Sequence, residues 1–216
     1  MKKIILLLAV FLCCSSIYSQ KKKAAKNASS SNVIANAANL TAALTPDKDT
    51  YRFEVKTDKK ETLFVKQIDV KGNEKSAATK NNNIPVGCKI TPFTAKGTPL
   101  YCITWTENKV TEAAEKTEDR TQIHSEIWNA VTKKRLLENV QTTTKIKEIL
   151  WLDKLKNASQ TSEKMRREGL VFSLTNEGDV ALTGKNQENK LVYNPATDNY
   201  DNVKSNLMPI TKSKKK

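Results

Sequence analysis

The stretch GLVFSLTNEGDVALTG, from Gly169 to Gly184, constrains the fold more than any other part of the chain. Leu170, Phe172 and Leu174 alternate with other residues, Asn176 to Asp179 supply a turn, and Val180 and Leu182 alternate back. Period-two patterning about a glycine-containing turn marks an antiparallel hairpin with one buried face. The same period recurs in TYRFEVKT, where Tyr51, Phe53 and Val55 alternate with Arg52, Glu54 and Lys56. It recurs in TLFVKQIDVKG from Thr62, with Phe64, Ile68 and Val70, and in YCITWT. There Tyr101, Ile103 and Trp105 share one face while Cys102 and Thr104 share the other.

TQIHSEIWNAVTKKRLLENV reads as strand, turn, strand. Its turn region, Ile127 to Thr132, is nearly copied at Val192 to Thr197. Both run β-branched, aromatic, Asn, two small or apolar residues, Thr. Asn and Thr side chains bind nearby backbone and set tight turns, so one hairpin chemistry is expected at both places. KLVYNPATDNYDNV adds a last strand and turn.

Many strands joined by short polar turns predict a mainly β chain. The expected arrangement is an antiparallel meander forming a barrel or a sandwich, because parallel strands would need crossover helices. The segment before Pro46 is expected to be a short helix packed on the domain or part of the linker. Val33, Ala37, Leu40 and Leu44 recur at helical spacing, Ser31 or Asn32 caps the start and Pro46 ends it. Residues 107–121 are charged and lack an apolar stripe, which reads as a loop or a short exposed helix. Residues 144–156 fit both periods, and their Thr-rich approach favours strand.

The leader MKKIILLLAVFLCCSSIYSQ sets the compartment. Lys2 and Lys3 precede an apolar run from Ile4 to Cys14, and Ser19 offers a small residue for cleavage. This is the layout of a secretory signal peptide. The run is shorter than the ~20 residues needed to span a bilayer. A lipid anchor on Cys14 is the lesser alternative, since Cys13 is only a tolerable residue before an acylated cysteine. The expected organisation is a signal peptide at 1–19 and a low-complexity linker or short helix at 20–46. A β-rich domain at 47–205 and a basic tail at 206–216 follow. The protein is expected to be exported, either periplasmic or secreted.

Export bears on Cys88 and Cys102, the only cysteines after the leader. In an oxidising compartment they are expected to pair. A hairpin placing Cys88 opposite Cys102, and Ile90 opposite Leu100, would turn at Phe93 to Gly97 and be stapled by a bridge worth about 3 kcal/mol. A zinc site is disfavoured, because thirteen residues separate the two cysteines and His124 is the only histidine.

The formal charge of +14 suggests an anionic partner, but its distribution narrows the choice. Without the two leader lysines and the four at each end, 27 basic residues face 23 acidic ones between Asn27 and Thr211, a balance of +4. The excess therefore sits in lysine-rich ends, which are expected to touch an anionic envelope surface. Aromatic and basic residues do not interleave as a single-strand stacking platform requires, so no nucleic acid is expected.

Reaction machinery is sparse. The chain has no glycine-rich phosphate loop, no GxSxG elbow and no HExxH pair. Alternation puts His124 with Gln122 and Glu126, which reads as a solvent-facing strand face. No cofactor or metal is expected, and the chain reads as a non-enzyme. A carboxylate-dependent hydrolase is the least favoured reading, its acids being able to meet only in the fold. Trp105, Trp128 and Trp151 fall on separate strands. They are the candidates for lining a concave ligand-binding face, against the alternative that they fill a core. The expected function is an exported β-domain binding a cell-envelope component or a small amphiphilic ligand. The alternative is an interaction subunit of an envelope assembly that takes a protein partner at a strand edge.

Overall fold

The computed structural model describes residues 31–47, 50–69, 79–80 and 83–203. Every regular element among them is a strand. The first sheet is a meander of β1 (Asn32–Ala37), β2 (Leu40–Asp47), β3 (Thr50–Thr57) and β4 (Thr62–Asp69). The central sheet holds β5 (Thr79–Lys80), β6 (Val86–Ala95), β7 (Thr98–Ala113), β8 (Lys116–Asn129), β9 (Lys134–Trp151) and β10 (Ser159–Glu168). Its order is β10-β9-β8-β7, with β5 and β6 both paired along the far edge of β7. The third sheet is a meander of β11 (Val171–Leu174), β12 (Val180–Thr183), β13 (Glu188–Asn194) and β14 (Asn199–Val203). All pairings are antiparallel. The sheets stay open, so the expected mainly β meander is present in a sandwich-like form and not as a closed barrel.

The alternation of β7 explains how one sheet serves two cores. Tyr101, Ile103 and Trp105 point to one face and pack with Leu40, Phe53, Val55 and Ile68 of the first sheet. Leu100 points the other way and packs with Ile127, Leu136, Val180, Tyr193 and Tyr200, which ties the third sheet to the central one. Phe53, Leu40, Val55, Leu100, Ile103, Ile127 and Val180 are fully buried. Each contributes roughly 1.5–3 kcal/mol of transfer free energy. Beyond Glu107 on β7 and Thr144 on β9 no residue of these strands is buried, and they run on as a ribbon with both faces wet.

Two expectations are corrected here. The N-terminal segment is not a helix. Leu40 and Ala42 are fully buried and Leu44 is half-buried, a period-two face hidden within the helical spacing. β1 and β2 turn at Ala38, which has φ 49°, and strand begins at Asn32. Residues 107–121 are likewise strand, forming the far halves of β7 and β8 about Ala114 and Glu115. Their two faces are both polar. Cross-strand pairs such as Thr121 Oγ1 donating to Asn108 Oδ1 at 3.0 Å stand where apolar alternation would have announced them. Residues 144–151 are strand, as favoured, while 152–156 leave the sheet and turn toward β10. Val70 lies outside the described residues.

The two matching turns share one geometry. Asn129 Oδ1 accepts from the Val131 amide at 3.0 Å and the Thr132 amide at 3.3 Å, and Asn194 Oδ1 accepts from the Ala196 amide at 3.0 Å. Each loop closes on a left-handed residue, Lys133 with φ 55° and Asp198 with φ 46°. The expectation of one hairpin chemistry used twice therefore holds.

Candidate functional site

Each of the three tryptophans donates its indole N–H to a glutamate, and each glutamate meets a cation. Trp105 Nε1 lies 2.8 Å from Glu107 Oε1, which also pairs with Lys66 of β4. Trp128 Nε1 lies 2.7 Å from Glu126 Oε2, and Glu126 Oε1 accepts from Arg135 at 3.1 Å. Trp151 Nε1 lies 2.8 Å from Glu115 Oε1, which is bridged to Lys156. In the first two units indole and acid stand two residues apart on one strand, so the pleat puts them on the same face. Glu107 and Glu126 are buried, and a buried carboxylate needs both hydrogen bonds and a counter-charge to offset its lost hydration. Burial pushes the Glu126 carboxyl above its ordinary range, against the lowering pull of Trp128 and Arg135. At Glu115, which is exposed, hydrogen bonds from Lys156 and then from Trp151 hold the carboxyl below that range.

The tryptophans do not form one group. Phe64 stacks on Trp105 at 5.9 Å between centroids and on Trp128 at 5.6 Å. Phe53 closes edge-on against Phe64 and Trp105, at 5.3 Å from each. The space between Trp105 and Trp128 is thus filled with aromatic carbon. Trp151 sits at the other end of β9 from Arg135, the cross-strand partner of Trp128. At ~3.3 Å per residue that is about 50 Å away.

His124 is placed differently from its expected solvent-facing position. Its ring lies parallel to Trp105, with 4.7 Å between centroids, and the side chain is 13% exposed. Its cross-strand partner is Trp105, so the face it shares with Gln122 and Glu126 is the one the first sheet covers. His124 Nε2 is 3.5 Å from Glu107 Oε1 without hydrogen-bond geometry. Burial lowers the imidazole pKa, opposed by the Glu107 charge. The arrangement is a packed pair of rings.

The expected staple is absent, since Cys88 and Cys102 are free thiols. The β6–β7 turn is the two-residue Lys96–Gly97, with φ of 46° and 83°, so Ala95 opposes Thr98 and Thr91 opposes Cys102. That register differs by three residues from the one that would bring the sulfurs together. An odd offset moves one cysteine to the other face. Cys88 packs against the first core, while Cys102 is on the Leu100 face of β7. Burial pushes both thiols up to about 11.

Among the described residues the ribbon is the least covered part. β10 is exposed at every position but Ser162, and among the described residues it pairs only with β9. At the tip, where β9 leads into β10, Leu150, Trp151, Leu152 and Leu155 are exposed. A surface depression of about 540 Å3 is open and lined by Asp119, Lys145, Lys147, Glu163, Lys164 and Met165 among others, far from Trp105 and Trp128. Among the described residues no group of His, Cys, Asp and Glu is placed to hold a metal ion.

Sequence reading missed the glutamates. The patterns Trp105-x-Glu107 and Glu126-x-Trp128 were a usable signal, since period two puts each pair on one face. Glu115 and Trp151 are distant in sequence and meet only through the pairing of β8 with β9. Comparisons of the chain with protein-family models, with curated proteins and with solved structures gave no match.

Proposed function

We propose that this chain is an exported, non-enzymatic β-domain that acts as an interaction subunit of a cell-envelope assembly. On this reading the lysine-rich ends hold it near an anionic surface, and a protein partner adds a strand along β10. The observation that carries the reading is β10 itself: ten residues, open on both faces, with one edge unpaired among the described residues. Such an edge is a template for strand addition. Lys164 and Arg166 lie on one face of it, and Met165 and Arg167 on the other. Glu163 and Glu168 stand on the same strand, and Lys164 and Arg166 are bridged to Glu148 and Glu168, so the edge presents mixed charge to the added strand. The stacking of Phe64 between Trp105 and Trp128 supports this reading over carriage of a small amphiphile, because a carrier needs room beside those rings.

A photo-crosslinking residue at Met165, introduced in the producing cells, tests the proposal. A discrete adduct with one envelope protein, lost when the crosslinker is moved to the buried Val180, is the expected result. Stoichiometric uptake of a lipid or hydrophobic dye that shifts the emission of Trp105 and Trp128, with no adduct at Met165, would return the protein to the carrier class.

A further inference from the structure

We propose that Arg120, Thr144 and Arg166, with Lys109 beside them, form a clamp for a tetrahedral oxyanion on the Trp105 face of the ribbon. The ligand class is a phosphate group, free or at the end of a phosphomonoester. The inference goes beyond the envelope reading, and it concerns a face of the sheet and not the β10 edge.

The first support is register. Lys109 stands opposite Arg120 across β7 and β8, Arg120 opposite Thr144 across β8 and β9, and Thr144 opposite Arg166 across β9 and β10. Directly paired residues on neighbouring strands point to one face, so the four make a single row with ~4.8 Å from strand to strand. Lys109 and Arg120 lie an even number of residues from Trp105 and His124, so the row shares their face. Like charges directly opposite destabilise a ladder, and Lys109 faces Arg120. An oxyanion shared between such cations turns that repulsion into charge-assisted hydrogen bonds.

The second support is a hydroxyl. Thr144 stands between the two arginines and is 1% exposed, yet its Oγ1 has no hydrogen-bond partner. A buried hydroxyl without a bond is unfavourable and calls for an explanation. A phosphate oxygen is an acceptor that a threonine hydroxyl and two guanidinium groups can share.

The third support is that the carboxylates of this face are engaged and do not balance the row. Glu118 is bridged to Lys116 at 2.8 Å, Glu148 takes Lys164 at 3.3 Å, and Glu107 takes Lys66 and Trp105. Glu168 meets Arg166 at its Nε, 3.1 Å away, which leaves the terminal amino groups of that guanidinium to a further acceptor. Among the described residues no ion pair engages Lys109 or Arg120. They are the unmatched charge, and they are neighbours.

The test is isothermal titration calorimetry of full-length protein with inorganic phosphate and, separately, with glucose 6-phosphate, at fixed ionic strength in chloride. Saturable one-site binding is expected. Equal affinity for the two probes assigns the site to a terminal phosphate whatever bears it, binding of inorganic phosphate alone assigns it to the free ion, and either result supports the clamp. Arg120→Gln should weaken binding at least roughly tenfold, through loss of one charge-assisted contact. Arg120 is exposed, so this variant should melt with the wild type. Thr144→Val keeps the branched shape and removes only the hydroxyl. It should weaken binding roughly three- to tenfold. In phosphate-free buffer it should melt at or above the wild-type temperature, because the unbonded hydroxyl is gone. A threonine with a purely structural role would leave the affinity unmoved. Affinity unchanged in either variant, or no saturable heat, overturns the proposal. Equal binding of acetate overturns the tetrahedral assignment. Uptake that wild type and variants share, and that salt abolishes, belongs to the lysine-rich ends and also overturns the clamp.

Discussion

The Asn129 amide donates to Asp198 Oδ1 at 3.0 Å, so the turn that ends β8 is fastened to the turn that ends β13. Thr132 Oγ1 donates to the other Asp198 oxygen at 2.8 Å, and Tyr193 donates its hydroxyl to Oδ1 at 2.9 Å. Two turns of the same chemistry thereby lock the third sheet to the central one at a polar junction beside the second core.

Replacing Asn129 with Ala removes that bond and the Asx contacts to Val131 and Thr132 together, which should lower the unfolding free energy by about 1–3 kcal/mol in urea titrations. Asp198 gives the junction a pH signature. Burial alone would raise its carboxyl, but hydrogen bonds from Asn129, Thr132 and Tyr193 hold it below the ordinary value. Its contribution is therefore fully present above the unfolded carboxylate range, near about pH 4, and drains away as pH falls through the folded value. The stability difference between wild type and Asp198→Ala should shrink steadily below about pH 4. A difference that is flat with pH would mean that the carboxylate charge plays no part.

Glu126 should titrate with the opposite sign. Its folded pKa is raised, so the folded state holds the proton more tightly than the unfolded one. Stability contributed at this site rises as pH falls through the raised folded value and levels off below the unfolded value near about 4.3. Glu126→Gln keeps an oxygen for the Trp128 indole and removes the buried charge. It should be close to wild type in stability at neutral pH and lack the gain on acidification. Glu126→Ala strands both Trp128 Nε1 and Arg135, and should cost about 1–3 kcal/mol at neutral pH. Equal losses in the two variants would show that the charge, not the acceptor, holds Trp128.

The state of the cysteines is directly measurable. Both Cys88 and Cys102 are shielded, with pKa values pushed up to about 11 by burial, so little thiolate exists at neutral pH. In native protein, alkylation of both should be slow near about pH 8. In denaturant without reductant both should react fully, as read by peptide mass spectrometry. A mass shortfall of two hydrogens on a linked 88–102 peptide pair would contradict the observed register.

How much of this was legible depended on whether a strand had one wet face and one dry face. The β11–β12 hairpin has that asymmetry; in β3 and β7 the alternation of residue types reads directly although Glu54 and Cys102, on their second faces, are buried as well. The far halves of β7, β8 and β9 are wet on both sides, so Lys109 to Arg120 carries no period. They are strands because the partners on either side are strands. The His124 face failed for the converse reason. Its polar residues are buried under the first sheet, which single-strand alternation does not reveal. The cysteine pairing failed on a turn. Choosing a five-residue loop over Lys96–Gly97 shifted the register by three and exchanged the faces. The tryptophans were legible as residues of consequence, but whether rings meet depends on which strand ends adjoin, and that belongs to topology.

Gly178 is where the third sheet is pressed against the central one, and it makes a steric prediction that can be isolated. A Cβ added there would lie 2.6 Å from the Ala95 Cβ and 2.9 Å from the Ala95 Cα, and the backbone sits at φ 84°. Its carbonyl also accepts the Tyr200 hydroxyl at 2.7 Å. The contacting atoms are backbone and the first carbon of a side chain, so nothing can swing aside. Gly178→Ala must both adopt a left-handed backbone and push the β11–β12 turn off the β6–β7 hairpin. Gly97 isolates the first of these costs, since it has φ 83° and open space around it. Gly97→Ala should therefore cost about 1 kcal/mol from backbone strain. Gly178→Ala should cost about 1–3 kcal/mol more, the range for overpacking a well-packed site. Urea titration of the two variants gives the difference, and a shift in near-ultraviolet dichroism from Tyr200 should accompany only the second. Equal losses would mean that the two hairpins are not in contact at Ala95.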